Sequence, residues 1–187
     1  MRYRPHDYQR YAADFIKNHP IAALLLSMGL GKTSITLTAI NDLLFDSFEV
    51  SRILVIAPIR VTRVWAEEIE KWDHLRGLTY SIAVGTAEER KTALSRKADI
   101  YIINRENVGW LIDEMPFDFD MIVIDELSSF KNHQTKRFKA LMKARPKAKR
   151  IVGLTGTPTG NGLMDLYAEF RLLDMGQRLG RFIGQYR

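Results

Sequence analysis

Six short apolar runs recur along the sequence, and segments with helical periodicity separate most of them. They span residues 21–26, 52–57, 80–84, 100–103, 121–124 and 151–154. Strands that are buried on both faces have continuous apolar runs, and helical crossovers connect parallel strands. The pattern therefore predicts an α/β fold with three layers, in which helices cover both faces of a mainly parallel sheet.

The segments between the runs predict the helices. Apolar residues of 8–16 repeat at helical spacing behind Asp7, a predicted N-cap, and Pro20 stops this first segment. Further helices are predicted over 32–45, 61–72 and 163–173. No internal repeat or clear linker interrupts the series, so residues 1–187 are expected to form a single domain.

Composition excludes several classes of protein. The chain has 187 residues and no cysteine, which rules out a disulfide scaffold, a thiolate nucleophile and a cysteine-ligated metal. No apolar stretch approaches the ~20 residues that cross a bilayer, and the polar N-terminus lacks the apolar core of a secretory signal. We therefore expect a cytoplasmic protein, or a nuclear one in a eukaryote, with no membrane partner.

Positive charge is concentrated in the last third of the chain. The net charge of +6 divides into −2 over residues 1–120 and +8 over residues 121–187, which is typical of a protein with a polyanionic partner. Residues 131–150 contain nine Lys or Arg and no acid. Two interpretations stay open for this stretch: direct contact with phosphates, or the solvated face of a helix whose Phe138, Leu141 and Met142 face inward.

A glycine-containing turn connects the first apolar run to the second helix. Successive backbone N–H groups of such a turn point at phosphate oxygens, and the helix N-terminus adds partial positive charge. Lys32 would bridge the β- and γ-phosphates, and the Thr33 hydroxyl would bind Mg²⁺. The full phosphate-loop pattern has glycine at the position of Leu26. The residues predicted to bind ATP here are Met28, Gly29, Leu30, Gly31, Lys32, Thr33 and Ser34.

Two adjacent carboxylates follow the fifth apolar run. In open α/β sheets, ligands bind outside the carboxyl ends of the strands. Asp125 would then bind Mg²⁺, and Glu126 would act as the general base that polarises the attacking water. Together with Lys32, the acidic pair predicts an ATP-hydrolysing site.

The sequence resembles superfamily-two helicases, and most closely their Swi/Snf-type branch of duplex-DNA translocases. The strings MGLGKT at 28–33 and LTGTP at 154–158, followed by Asn161, are the most specific parts of this resemblance. Weaker parts are Tyr8-Gln9, Asp125-Glu126, Ala57-Pro58 with Trp65, Glu70-Lys71-Trp72 and Lys131-Asn132. The resemblance runs from about residue 5 to residue 174 and implies the N-terminal RecA-like lobe of an ATP-driven motor.

The resemblance also implies roles for individual residues. Gln9 would read the adenine edge. Ser128, Thr155 and Thr157 would couple the nucleotide state to the nucleic-acid groove. Residues that follow strands would contact the nucleic-acid backbone, and these are Pro58, Arg60, Gly85, Thr86 and Asn104.

The sequence departs from the family pattern at three points. Ser27 replaces the usual Asp, and Leu127 and Ser128 replace the usual Ala or Gly and His. The family's second lobe, whose arginines reach the γ-phosphate, has no counterpart in these residues. We therefore expect this chain to need a second RecA-like lobe, in cis or in trans, and to be weak or inactive alone.

The function predicted from the sequence is a Mg²⁺–ATP hydrolase that moves on DNA, with duplex DNA favoured. Three alternatives stay open. They are an RNA helicase lobe, a non-catalytic nucleic-acid-binding module gated by nucleotide, and a small-molecule kinase with a phosphate loop.

Overall fold

A computed structural model describes residues 1–26, 29–130, 132, 134–156 and 172–175. Within these ranges, six strands form one parallel sheet in the order β1-β6-β5-β2-β4-β3. The strands are β1 (Ile21–Leu25), β2 (Ile53–Ala57), β3 (Tyr80–Ala83), β4 (Ile100–Asn104), β5 (Met121–Asp125) and β6 (Arg150–Thr155). The predicted parallel sheet is confirmed, and every predicted apolar run forms a strand.

Six helices of seven or more residues occur in the described ranges. They are α1 (Asp7–Asn18), α2 (Lys32–Phe45), α3 (Thr62–Lys71), α4 (Ala87–Ser95), α5 (Val108–Glu114) and α6 (Lys136–Ala144). Short 3₁₀ turns lie at Ile59–Val61, Asp73–Leu75, Arg105–Asn107, Leu127–Phe130 and Arg145–Lys147. Of the helix predicted over 163–173, only residues 172 and 173 lie within the described chain, and both are helical.

The helices form two layers, one on each face of the sheet. β2 shows the division, because Ile53, Val55 and Ala57 join one hydrophobic cluster while Leu54 and Ile56 join the other. The first cluster includes residues of α1, α2 and α3, and the second includes residues of α4, α5 and α6. Side chains alternate between the faces of a strand, so both faces of β2 are covered.

The start of α1 differs from the prediction. His6 is the N-cap, and Asp7 is the first helical residue. A capping box forms between His6 and Gln9, in which the His6 backbone N–H donates to Gln9 Oε1 at 2.9 Å. Asp7 is the predicted N-cap because aspartate is common at that position. In the structure, the hydrogen bond from the His6 N–H to the Gln9 side chain places the N-cap one residue earlier.

The basic stretch 131–150 contains α6 and the start of β6. Phe138 and Leu141 are buried, while the neighbouring Lys139 is exposed, as the solvated-helix interpretation predicts. Among the basic residues of this stretch that the structure describes, Arg145 and Arg150 are exceptions, since both are buried. Their guanidinium groups donate to backbone carbonyls, so these two residues stabilise the fold from inside.

Candidate nucleotide site

A cleft of about 1000 Å³ opens where the carboxyl ends of β1, β6 and β5 meet. The two halves of the predicted nucleotide site, Lys32 and Asp125, are 93 positions apart in sequence and line the same cleft. The predicted residues that line it are Gln9, Gly29, Gly31, Lys32, Thr33, Ser34, Arg60, Asp125, Glu126, Ser128 and Thr155. Predicted positions Met28 and Thr157 lie outside the described residues.

The turn before α2 depends on its glycines. Gly29 and Gly31 have φ angles of 85° and 82°, a left-handed conformation that glycine adopts without steric cost. Gly31 is the N-cap of α2, and a Cβ on it would lie 2.6 Å from Gln9 Nε2. The turn therefore requires glycine at Gly31 for its backbone conformation, and a Cβ there would displace the Gln9 amide. It directs the N-terminus of α2 at the cleft.

Helix α1 holds this turn from one side. Tyr8 Oη donates to the Leu30 carbonyl at 3.0 Å, and Gln9 Nε2 donates to the same oxygen at 3.3 Å. The Leu30 side chain itself is exposed and is not among the described groups that line the cleft. Gln9 thus stabilises the turn through one end of its amide and caps α1 through the other.

Lys32 and Ser34 make local contacts at the start of α2. Lys32 Nζ donates to the Leu26 carbonyl at 2.7 Å, which keeps the ammonium group beside the turn. Ser34 is buried, and its hydroxyl donates to the Gly31 carbonyl at 3.0 Å. Thr33 lies between them, half-buried, and lines the cleft.

Asp125 is the last residue of β5, and its carboxylate is largely buried. Trp65 Nε1 donates to Asp125 Oδ2 at 2.9 Å. Burial raises the pKa of Asp125, and the nearby charge of Glu126 raises it further, whereas the indole hydrogen bond and the charge of Lys32 lower it. Two cleft residues, Lys32 and Glu126, therefore shift the pKa of Asp125 in opposite directions.

Glu126 turns the chain out of the sheet. Its φ of 59° lies in the left-handed region, which is uncommon for a residue with a side chain and occurs often at functional sites. Ser129 stabilises this turn, because its backbone N–H and its hydroxyl donate to the Glu126 carbonyl at 3.0 and 2.8 Å. The Glu126 carboxylate is exposed and lies 3.4 Å from the Arg60 guanidinium.

Of the predicted coupling residues, Ser128 and Thr155 are described, and both line the cleft. Thr155 is buried at the end of β6, and its carbonyl accepts the Leu26 N–H at 3.2 Å. Ser128 lies in the turn after Glu126 and lines the cleft. β6 pairs with both β1 and β5, so Thr155 lies on the strand between the phosphate turn and the acidic pair.

The residues predicted to contact nucleic acid follow the other strands. Pro58, Gly85 and Thr86, and Asn104 lie after or at the ends of β2, β3 and β4, and Arg60 alone among the five also lines the cleft. Thr86 caps α4 by accepting the Glu89 N–H at 3.2 Å. Asn104 is buried and its amide donates to Glu106 at 3.1 Å. These local contacts leave their nucleic-acid role a prediction.

One wall of the cleft was not predicted from the sequence. It combines the N-terminal segment with the C-terminal half of α3, and Tyr3 connects the two by packing on Trp72 with ring centroids 5.1 Å apart. No local sequence pattern predicts this wall, because the Tyr3–Trp72 contact joins residues that are some 70 positions apart. The only signal in the sequence is that both residues are aromatic. The lining residues to which the sequence assigned no site role, in this wall and elsewhere, are Tyr3, Arg4, His6, Val61, Val64, Glu68, Lys71, Trp72, Leu154 and Gly156. Four of them, Lys71, Trp72, Leu154 and Gly156, belong to strings that carry the resemblance.

The described residues lack both a ready-made metal cluster and a membrane-spanning helix. They contain no cluster of three His, Asp or Glu side chains that could hold a metal ion by themselves. They also contain no helix with the length and apolarity needed to cross a bilayer.

A parallel sheet with this turn and this acidic pair at its carboxyl edge defines a RecA-like α/β domain. Residues 14–178 match the family model described as SNF2-related domain, and the chain belongs to this family. The SWI2/SNF2 ATPase core of Sulfolobus solfataricus, solved in complex with dsDNA, superposes with a TM-score of 0.83 at 28% identity. That comparison covers 100% of this chain and 38% of the archaeal one.

Relatives by sequence include a phage protein and animal proteins. Putative protein p41 of Acyrthosiphon pisum secondary endosymbiont phage 1 is 36% identical over 188 residues, which cover 96% of this chain and 41% of the phage protein. A Xenopus tropicalis protein, SWI/SNF-related matrix-associated actin-dependent regulator of chromatin subfamily A-like protein 1, is 30% identical over 164 residues. These residues cover 87% of this chain and 16% of that protein. The chain thus spans less than half of each relative.

Proposed function

We propose that this SNF2-family domain is the ATP-binding lobe of a DNA-stimulated ATPase that couples Mg²⁺–ATP hydrolysis to movement on duplex DNA. One observation carries the proposal: the N-terminus of α2 and the acidic pair at the end of β5 face the same cleft. The cleft volume of about 1000 Å³ is at the upper end of the range of small-molecule sites, roughly 300–1,000 Å³.

The triphosphate would bind at the N-terminus of α2. Gly29 and Gly31 have left-handed φ angles. In a turn of this kind, backbone N–H groups can point at phosphate oxygens, and the helix N-terminus would contribute partial positive charge. Lys32 Nζ bonds a carbonyl of the turn at 2.7 Å. Phosphate oxygens would replace this carbonyl as acceptors, because a charged acceptor forms a stronger bond with an ammonium group.

The chemistry of the donor set fits Mg²⁺. The Thr33 hydroxyl and the Asp125 carboxylate line the same cleft, and both are the hard oxygen ligands that this ion prefers. The described residues offer no larger acidic cluster, and Mg²⁺ commonly takes one or two protein ligands together with substrate phosphates. Bound there, Mg²⁺ would neutralise charge on the β- and γ-phosphates.

Glu126 would accept a proton from the attacking water. Its carboxylate follows Asp125 on a turn that Ser129 stabilises, and it is exposed to the cleft. In the present arrangement it pairs with Arg60 at 3.4 Å. When Glu126 orients the water, the Arg60–Glu126 ion pair would have to break, or the Arg60 side chain would have to move together with the carboxylate.

Duplex DNA is the proposed track. The archaeal ATPase core of 0.83 TM-score was solved with dsDNA, and the loops after β2, β3 and β4 of this chain carry the residues predicted to contact a backbone. Arg60 would contribute a positive charge there, and such contacts bind phosphates without reading sequence. A second RecA-like lobe would supply the arginines that complete hydrolysis, in keeping with the fraction of each relative that the chain spans.

The decisive experiment is a fluorescent-ATP binding titration together with turnover measured alone and with duplex DNA, single-stranded DNA or RNA. Lys32→Ala should abolish binding, whereas Glu126→Gln should retain binding and lose whatever turnover the parent chain has. Exposed residues away from the cleft, changed as Lys143→Ala and Glu114→Gln, are the matched controls. Tight binding by Lys32→Ala, or normal turnover by Glu126→Gln, would refute the assigned roles.

The choice of track and the need for a second lobe have their own outcomes. Nucleotide binding with negligible turnover on every track would support an incomplete motor. Turnover that only RNA stimulates would contradict the DNA assignment. Strong turnover by this chain alone would refute the requirement for a second lobe.

A further inference from the structure

The Trp65 side chain connects the hydrophobic core to the predicted Mg²⁺ ligand. Trp65 lies on α3 and is fully buried in the cluster beneath α1, α2 and α3. Its indole N–H donates to Asp125 Oδ2 at 2.9 Å. The spacing of Trp65, Ile69 and Trp72 predicts core positions. Trp65 and Ile69 are buried as predicted, whereas Trp72 is partly buried against the same cluster. The spacing does not predict the hydrogen bond.

The acceptor of this hydrogen bond is unusual for a core tryptophan. A buried indole N–H requires one acceptor, and any backbone carbonyl would satisfy it. Here the acceptor is the carboxylate at the end of β5 that lines the cleft. A bond to a charged acceptor is about twice as strong as a neutral one, and the packed indole ring gives it a fixed direction.

The same segment of chain also reaches the second carboxylate. Arg60, five residues before Trp65, pairs with Glu126 at 3.4 Å. This pair is exposed, so water and salt weaken it. The Trp65–Asp125 bond has no such exposure on the Trp65 side. It can therefore hold a carboxylate in one orientation, beside the backbone hydrogen bond that Asp125 accepts from Glu126.

We propose that Trp65 is a positioning residue for Mg²⁺–nucleotide, and that its indole N–H holds the Asp125 carboxylate in the orientation that faces the cleft before the ion binds. The inference rests on the proposed function, since it assumes that Asp125 binds Mg²⁺. Groups that orient a metal ligand commonly change metal affinity by roughly 10–100-fold when they are removed.

The test separates metal binding from nucleotide binding. Trp65→Phe removes the N–H but keeps an aromatic ring in the core, and urea unfolding checks that the variant folds. Nucleotide affinity in EDTA should equal that of the parent chain, because the phosphate turn is unchanged. The increase in affinity on adding Mg²⁺ should fall by about tenfold or more. Mn²⁺ binding to the nucleotide complex, followed by electron paramagnetic resonance, should weaken equally.

Trp110→Phe is the matched control. Trp110 lies on α5, packs under Arg90 at 4.3 Å from the ring centroid, and is not among the described residues that line the cleft. It should leave both affinities unchanged. A loss of affinity in EDTA and in Mg²⁺ alike would show that Trp65 has a structural role only, and would refute the inference.

A second measurement needs no change at Trp65. The chain has three tryptophans, so incorporation of 5-fluorotryptophan gives three ¹⁹F resonances, assigned with Trp72→Phe and Trp110→Phe. Adding Mg²⁺ to the ADP complex should move the Trp65 resonance and leave that of Trp110 in place.

The outcomes distinguish the two proposals. The positioning role is refuted if the Trp65 resonance does not shift when Mg²⁺ is added. It is also refuted if Mg²⁺ increases the nucleotide affinity of Trp65→Phe as much as that of the parent chain. In both cases the proposed function stands. Failure of the parent chain to bind ADP or ATP at all refutes the proposed function and this inference together.

Discussion

Arg150 should contribute strongly to stability, although it belongs to a stretch whose charge pattern suggests a solvated surface. The residue is 8% exposed, and its guanidinium donates to the carbonyls of Ile16 and Lys17, both at 2.9 Å. These carbonyls belong to the last turn of α1, where a helix leaves its final carbonyls without i+4 partners. The Ile16 carbonyl also accepts the His19 N–H at 3.4 Å. Arg150 also pairs with Glu49, which is half-exposed.

The magnitude follows from these contacts. A hydrogen bond to a charged group contributes about 1.5–3 kcal/mol, and leaving a buried acceptor unsatisfied adds to the loss. The Glu49 pair adds little, because its carboxylate can return to water. Arg150→Met retains much of the packing of the aliphatic stem and should therefore lower the free energy of unfolding by about 3 kcal/mol.

Equilibrium urea unfolding, followed by circular dichroism, measures this loss. The matched control is Lys149→Met, because Lys149 is the preceding residue and its side chain is exposed. This control should change the free energy of unfolding by no more than about 0.5 kcal/mol. A loss below about 1 kcal/mol for Arg150→Met, or one equal to the control, would show that water replaces the guanidinium at the end of α1 and would refute the reasoning.

Two further predictions concern the phosphate turn and a half-buried histidine, His74. Gly31→Ala imposes a side chain on a φ of 82° and puts its Cβ 2.6 Å from Gln9 Nε2. Because the turn would distort, nucleotide affinity should fall by at least about tenfold. Unchanged affinity in the fluorescent titration would contradict this. Burial lowers the pKa of His74 from its usual 6.5, so the folded state favours the neutral ring, and stability present above pH 6.5 is lost as the pH falls through the folded-state pKa. His74→Gln should reduce the loss of stability between pH 7.5 and 5.5 in urea unfolding, and an identical loss would exclude His74 as its source.

Local sequence was sufficient to predict the elements that carry the site. β1 and β5 are apolar enough to identify as buried strands, and the structure agrees within one residue at each end. Gly31 marks the start of α2 because a left-handed N-cap suits glycine. Since the carboxyl ends of parallel strands share one edge, the meeting of Lys32 and Asp125 in one cleft also followed from the sequence.

The remaining features depend on which strands become neighbours. The hydrogen bond from Trp65 to Asp125 spans 60 positions and the Arg60–Glu126 pair spans 66, so no local pattern predicts either. The burial of Arg150 within the basic stretch could not be predicted for a similar reason. Arg150 has the same charge as the exposed lysines around it, and its burial follows from the pairing of β6 with β1, which brings it to the end of α1.

The strand order gives these long-range contacts a common cause. β1, β6 and β5 form one half of the sheet and end at the cleft, while β2, β4 and β3 form the other half and end at the loops predicted to contact nucleic acid. β2 and β5 are the neighbours at the boundary, and the segment after β2 therefore crosses beside the acidic pair. A phosphate that drew Arg60 away would act next to Glu126, and any tilt of α3 would act on Asp125 through Trp65. Under the proposed function, a signal between DNA and nucleotide would therefore have a short path through the residues that follow β2.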